Sequence, residues 1–207
     1  MGIKIRNIKE IQEVKEIHNF ISEQIKLTVR VGVFENFPLV ETYNEMIDAF
    51  QTNSKLQIKA ELAGVLIGYA LATFDKETKQ AWLKVIMVKG QFQKKGLAQK
   101  LLKEMEKRVK SVGAVVLKAN EREGTNGFYI RSGFVPYLYV TASKKDSFEK
   151  VLGYNNERFK ILEEKEENGN YFVKFDVEGE AVYYDKSEIY KLAKDVESRF
   201  VYEKRLK

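Results

Sequence analysis

Between Val85 and Leu102 an apolar run of strand length, Val85-Ile86-Met87-Val88, passes through a short polar turn containing Gly90, Lys94, Lys95 and Gly96 into a helix beginning near Leu97. A strand that ends in such a turn and feeds a helix is a place to hold phosphate. The first N–H groups of a helix lack partners within it, and that end carries partial positive charge, so donors and field both point at an anion in the turn. Gly96 and Ala98 are small enough to let a pyrophosphate approach the backbone amides, and Lys94 and Lys95 add point charges. The sequence contains neither Gly-x-x-x-x-Gly-Lys-Ser/Thr nor Gly-x-Gly-x-x-Gly, so a nucleotide triphosphatase loop and a dinucleotide fingerprint are both missing.

The residue types available narrow the chemistry further. With no cysteine, the 207-residue chain has no disulfide, thiolate metal site or cysteine nucleophile; with His18 as its single histidine, the usual zinc sites and nucleophilic triads cannot be assembled. Carboxylates, tyrosines, lysines and backbone amides remain. A hydrophobic fraction of 44% with 32% charged residues describes a globular chain that can bury a core. The net charge of +6 is unevenly placed: residues 1–140 carry 22 Lys and Arg against 15 Asp and Glu, and residues 141–207 carry 14 against 15. The basic excess lies with the glycine turn, as either a polyanionic ligand or nucleic acid would favour. There is no run of 18 apolar residues, and the N-terminus alternates like a strand, so neither a membrane span nor a signal peptide is expected, and a cytoplasmic location is.

In chain order, Ile3–Arg6 reads as a strand, followed by a helix with Ile8, Ile11, Val14, Ile17, Ile21 and Ile25 on one stripe and His18 beside it as a packing residue. Residues 27–38 form an apolar and aromatic connection, and a second helix spans about Val40–Phe50. An antiparallel meander follows over about Lys55–Leu62, Gly64–Phe74 and Gln80–Val88, turning at Ala63-Gly64 and Asp75–Lys79. The helix from Leu97 ends at Gly113, and Ala114–Ala119 returns parallel to Gln80–Val88, as a right-handed crossover requires. A short helix over about Thr125–Ser132 and a strand over Phe134–Thr141 complete a domain of residues 1–141. Residues 142–207 read as a small extension: strands Arg158–Glu164 and Tyr171–Val177, then a helix Ser187–Phe200.

Two pieces, Gln93-Lys94-Lys95-Gly96-Leu97-Ala98 and, beyond Asn120, Phe128-Tyr129-Ile130-Arg131-Ser132-Gly133-Phe134, occur together in one family. The chain resembles the GCN5-related N-acetyltransferases, the GNAT family, whose acyl-CoA loop reads Gln/Arg-x-x-Gly-x-Gly/Ala and whose later segment reads Phe-Tyr-x-x-x-Gly-Phe. The match spans about residues 1–141, with Ala98 where glycine is commoner, and leaves the extension uncovered. The resemblance implies an α+β fold: a central mixed sheet, mostly antiparallel with one splayed parallel pair, flanked by helices, here carrying a C-terminal β-hairpin and helix.

It also implies acetyl-CoA as acyl donor and no metal. The amides of Gln93, Lys94, Lys95, Gly96, Leu97, Ala98 and Gln99 would cradle the pyrophosphate, with lysines neutralising the 3′-phosphate. The backbone of Ile86, Met87 and Val88 would pair with the pantetheine arm, and Asn120 and Phe128 would complete the cofactor site. Tyr129 would protonate the departing thiolate. For the base the strand before the loop offers no carboxylate; Glu61, Glu121 and Glu123 are candidates, as is a water chain or binding of the neutral amine. The expected reaction is direct attack by a primary amine, on a small molecule or an exposed amino group, in a ternary complex, since no cysteine exists to carry an acyl intermediate. The alternative is a CoA-binding regulatory or interaction module using the extension as a partner or homodimer surface. A phosphate-rich donor accounts for the basic cluster, which leaves nucleic acid a remote partner.

Overall fold

The computed structural model describes residues 2–30, 42–120, 125–156, 159–177 and 193–206. The chain divides into two compact units, one of Met1–Leu117 with Leu206–Lys207, the other of Lys118–Arg205.

The first unit is built on four strands in the order β1-β2-β3-β4, with β1 Lys4–Asn7, β2 Gln57–Leu62, β3 Val65–Asp75 and β4 Gln80–Val88. All three pairings are antiparallel. Helix α1, Ile11–Arg30, buries Val14, Ile17 and Ile21 of the expected stripe and Phe20 besides, with Ile25 partly buried, while Ile11, at the helix start, is exposed. Residues 27–30, expected to open a loop, instead extend this helix, which contains no glycine or proline to stop it; residues 31–38 lie outside the described residues. Helix α2, Tyr43–Asn53, starts at a capping box: Glu45 N–H donates to Thr42 Oγ1 at 3.3 Å and Thr42 N–H donates to Glu45 Oε2 at 2.6 Å. Met46 of α2 joins α1, Leu66, Tyr69, Leu71 and Val85 in one core. Buried Gln57 ties this layer together, donating to Met46 O at 2.8 Å and accepting from Tyr69 Oη at 2.8 Å.

Strand alternation turns Gly68 away from that core towards α3, Leu97–Ser111, which buries Leu97, Leu101, Leu102, Met105 and Val109. A Cβ at Gly68 would stand 3.1 Å from Leu101 Cδ1 and 3.2 Å from Met87 O, so glycine is what lets α3 approach the sheet. Gly113, at φ 97°, closes the helix as its position foretold.

The second unit orders its strands β5-β9-β6-β8-β7, with β5 Val116–Asn120, β6 Val135–Ala142, β7 Lys160–Glu167, β8 Asn170–Asp176 and β9 Val196–Arg205. Helix α4, Asn126–Arg131, and helix α5, Lys145–Asn156, belong to it. Two expectations change here. The helix foreseen over Ser187–Phe200 is, from Val196 onward, strand β9: Val196, Ser198, Phe200 and Tyr202 are buried along one face, the period of a strand, and each lies opposite β6. The remainder of that stretch, to residue 192, lies outside the described residues. Lys145–Asn156, unassigned beyond a polar junction at 143–147, is helical, with Phe148 and Val151 buried. Strand β9 lies against β6 from Val196↔Ala142 to Glu203↔Val135. Edge strand β7 is exposed and charged, which discourages pairing with another sheet. No helix among the described residues is long and apolar enough to cross a membrane.

Candidate acetyl-CoA site

The ladder of β4 ends where Val88 faces Gly68 and Lys89 N–H donates to Ile67 O at 3.0 Å. The chain then coils through one 3₁₀ turn, Gly90–Phe92, closed by Phe92 N–H to Lys89 O at 2.8 Å and Gln93 N–H to Gly90 O at 3.1 Å. Gln93 reaches back and donates its side-chain amide to Val88 O at 3.0 Å. Lys94 has φ 57° and Gly96 φ 79°, two left-handed residues that swing the backbone into the axis of α3. Gly96 is the N-cap of α3 and has no side chain to cover the first turn, so the amides beginning at Leu97 face outward from a positively polarised helix end. Buried Leu97 anchors that end, while Gln93, Lys94, Lys95, Gly96 and Gln99 are exposed and Ala98 is half-buried. The Lys95 ammonium lies 6.0 Å from the Phe92 ring centroid. Just upstream, Ile86 and Met87 are half-buried and Val88 buried, facing Ala70, Tyr69 and Gly68. The arrangement is an exposed, cationic, amide-lined turn at the carboxyl end of a strand, of a kind that can hold an anion.

Glu61 belongs to the same unit but is engaged elsewhere. Its carboxylate accepts from Arg6 Nε at 2.9 Å and Arg6 Nη2 at 3.0 Å and pairs with Lys59 Nζ at 2.9 Å. Glu13 joins the network through Arg6 at 2.6 Å and Lys59 at 2.9 Å. Burial pushes the Glu61 carboxyl up, but the hydrogen bonds from Arg6 and Lys59 outweigh it and hold the group below its ordinary range. At Glu13 the same contest, with the Lys9 N–H as a further donor, lowers the pKa to about 2. A carboxylate held ionised by two cations is a poor proton acceptor, so the geometry gives Glu61 a structural part and weighs against its expected part as base. Glu121 and Glu123 lie outside the described residues.

Elsewhere in this unit, a pocket of about 400 Å³ opens between α2 and strands β3 and β4, with Glu45 and Asp48 on its helical wall and Lys84 on its floor. Lys76, from the hairpin between β3 and β4, also lines it.

In the second unit, Asn120 is exposed at the end of β5. Tyr129, on α4, is 4% exposed and sits among three rings: Phe128 edge-on at 5.3 Å, Phe134 at 5.4 Å and Tyr202 stacked at 5.1 Å. The spacing of the Phe-Tyr-x-x-x-Gly-Phe segment has a local cause. Gly133, at φ 83°, ends the helix in the left-handed region, and Phe134 N–H then donates to Tyr129 O at 3.1 Å, folding Phe134 onto the tyrosine.

One cluster escaped the sequence reading. Glu203 of β9 accepts from Tyr139 Oη at 2.6 Å and pairs with Lys174 at 2.8 Å and Lys118 at 3.0 Å. Lys174 also lies 3.8 Å above the Tyr137 ring. Burial and the bond to Glu203 push the Tyr139 phenol far above its ordinary value. These residues come from four strands and are spread over 86 positions of sequence, from Lys118 to Glu203, so no local motif announces them. His18, for its part, packs edge-on to Tyr43 at 5.6 Å.

The family model described as "Acetyltransferase (GNAT) domain" matches residues 16–149, more than half of the chain. Among curated proteins no match is found. Solved structures similar to the chain include a GNAT-family acetyltransferase from Streptococcus pneumoniae, with 15% identity, TM-score 0.53 and all of both chains covered. Another is the PaiA N-acetyltransferase of Thermoplasma acidophilum, solved with coenzyme A, with 19% identity, TM-score 0.51, and 84% of this chain and 98% of that one covered. At these identities the likeness is one of fold, and the assignment rests on the family model together with the turn and the Tyr129 segment. The chain belongs to the GNAT family and is an acetyl-CoA-dependent N-acetyltransferase.

Proposed function

We propose that the chain transfers an acetyl group from acetyl-CoA to a primary amine, on a small molecule or an exposed amino group, by direct attack in a ternary complex. The observation that carries this reading is the exposed turn from Gln93 to Gln99, where Lys94 and Lys95 lead into Gly96, which caps α3 in the left-handed conformation ahead of a row of helix-end amides. In the proposed complex these amides hold the pyrophosphate and the lysines the 3′-phosphate. The backbone of Ile86, Met87 and Val88 pairs with pantetheine, and Asn120 and Phe128 contact the remainder of the donor.

The amine nitrogen attacks the thioester carbonyl, the C–S bond breaks, and the thiolate takes a proton from the Tyr129 phenol. An amine of ordinary pKa about 10.4 must shed a proton first. With Glu61 committed to Arg6 and Lys59, that proton goes to water or the amine binds neutral. The reading assigns the reaction to the cytoplasm, where the donor is made, and leaves residues 142–207 as a surface for a second copy.

Thermal unfolding with and without acetyl-CoA, CoA and longer acyl-CoAs, joined to a panel of amines scored for free-thiol release, tests the proposal. Donor at 100 times its dissociation constant adds about 2.7 kcal/mol to the stability of the folded chain. No shift with any acyl-CoA would overturn the reading, and a shift without turnover of any amine would replace it with a binding module.

A further inference from the structure

Helix α1 buries a polar residue beside its apolar stripe. Val14, Ile17 and Ile21 are buried at spacings of three and four, the stripe continues at Ile25, and next to it Gln24, three positions on from Ile21, is only 9% exposed. Burying a side-chain amide is costly unless it meets a partner that needs it. A partner of Gln24 is in the turn. Lys89 N–H makes the last ladder bond of β4, and the next donor along the chain, Gly90 N–H, points to Gln24 Oε1 at 3.3 Å. On the other side of the same turn the Gln93 side chain holds Val88 O.

Resting on the acetyl-CoA reading above, we infer that Gln24 is a positioning residue for the donor. By accepting from Gly90 it fixes where the chain leaves β4, and hence where the amides from Gln93 onward stand when a pyrophosphate arrives. Three features support a role beyond packing. Gln24 lies 66 positions away in sequence and accepts from a backbone N–H, so it bears directly on the main-chain path. The bond falls at the first residue after the last bond of β4 to β3. Every later element of the turn, from the 3₁₀ coil to the Gly96 cap, is built outward from that point. A turn held in advance avoids the ordering cost that donor binding would otherwise carry.

The test uses the full chain with Gln24→Met, which keeps volume but removes the acceptor oxygen, and Gln24→Glu, which keeps an acceptor there. KM for acetyl-CoA and kcat are measured for both, with the Gly90 amide followed by NMR hydrogen exchange. For Gln24→Met we expect faster exchange at Gly90, KM raised about five- to tenfold, the size of one lost hydrogen bond, and kcat within about twofold. Gln24→Glu keeps the Gly90 amide protected and has a KM below that of Gln24→Met. Unchanged KM in Gln24→Met, or a fall in kcat in place of a rise in KM, overturns the inference. Should Gln24→Met lose its cooperative unfolding, Gln24→Glu decides: a KM more than about tenfold above that of the unaltered chain overturns it. Failure of the unaltered chain to bind any acyl-CoA would instead strike the acetyltransferase reading itself.

Discussion

The ring of Tyr129 stacks on the ring of Tyr202, centroids 5.1 Å apart and planes inclined by 28°. The motif tyrosine of α4 is therefore also part of the packing between that helix and β9, and its two parts can be separated by substitution. Tyr129→Phe keeps the stacked ring and removes only the hydroxyl. We expect kcat to fall about 10²-fold or more, the scale of a lost general acid, with the melting temperature little changed. Tyr129→Ala removes the ring as well and should cost about 3–5 kcal/mol in denaturant unfolding. A Phe variant with full kcat would leave Tyr129 a packing residue.

At Gly68 the prediction concerns space. A methyl there meets both Leu101 of α3 and the Met87 carbonyl, one of them backbone that cannot step aside. Gly68→Ala should destabilise the chain by about 1–3 kcal/mol. Leu101→Ala alone should cost about 2–5 kcal/mol through its cavity. The double variant should be more stable than the sum of the two losses implies, which urea titration of all four proteins measures.

Acid should loosen the first unit through the pair Arg6–Glu13. Because Glu13 is lowered from 4.5 to about 2 on folding, its contribution is fully present above pH 4.5 and drains away as pH falls towards 2. Glu61 and Glu203 are shifted in the same direction and add to the same slope. Stability measured between pH 6 and pH 3 should decline, and Glu13→Gln should flatten that decline while lowering the plateau at neutral pH. A variant with an unaltered slope would refute the assignment.

The lysines of the turn should act by charge. Lys94→Ala and Lys95→Ala are each expected to raise KM for acetyl-CoA several-fold at low salt, and less at 0.5 M salt, where the screening length is about half that at 0.1 M. 3′-Dephospho-CoA should show the smaller loss if either lysine faces the 3′-phosphate. Equal losses with both ligands would assign that lysine to the pyrophosphate alone.

The elements legible in the sequence were those whose signals are local. Strand β4 and the start of α3 follow from an apolar run, a glycine and the spacing of Leu97, Leu101, Leu102, Met105 and Val109, and the end of α4 follows from Gly133. Strand β9 was misread because Val196, Phe200 and neighbouring apolar residues satisfy a four-residue period as well as a two-residue one, and only the pairing with β6 chooses between them. Glu61 showed its type and position but not its partners: Arg6 lies 55 residues away, and their meeting depends on the register of β1 against β2. The Lys118–Tyr139–Glu203–Lys174 cluster is hidden for the same reason, as is the hold of Gln24 on Gly90.

Strand β9 lies between β5 and β6 although it is made after both. On the ribosome, β5 and β6 emerge and wait for a neighbour that is still some 54 residues from synthesis when Ala142 appears, so two strand edges stay open until Val196 is added. The second unit therefore completes its sheet late, through contacts of long sequence separation, and this is the interval in which a chaperone or a stray strand would find it.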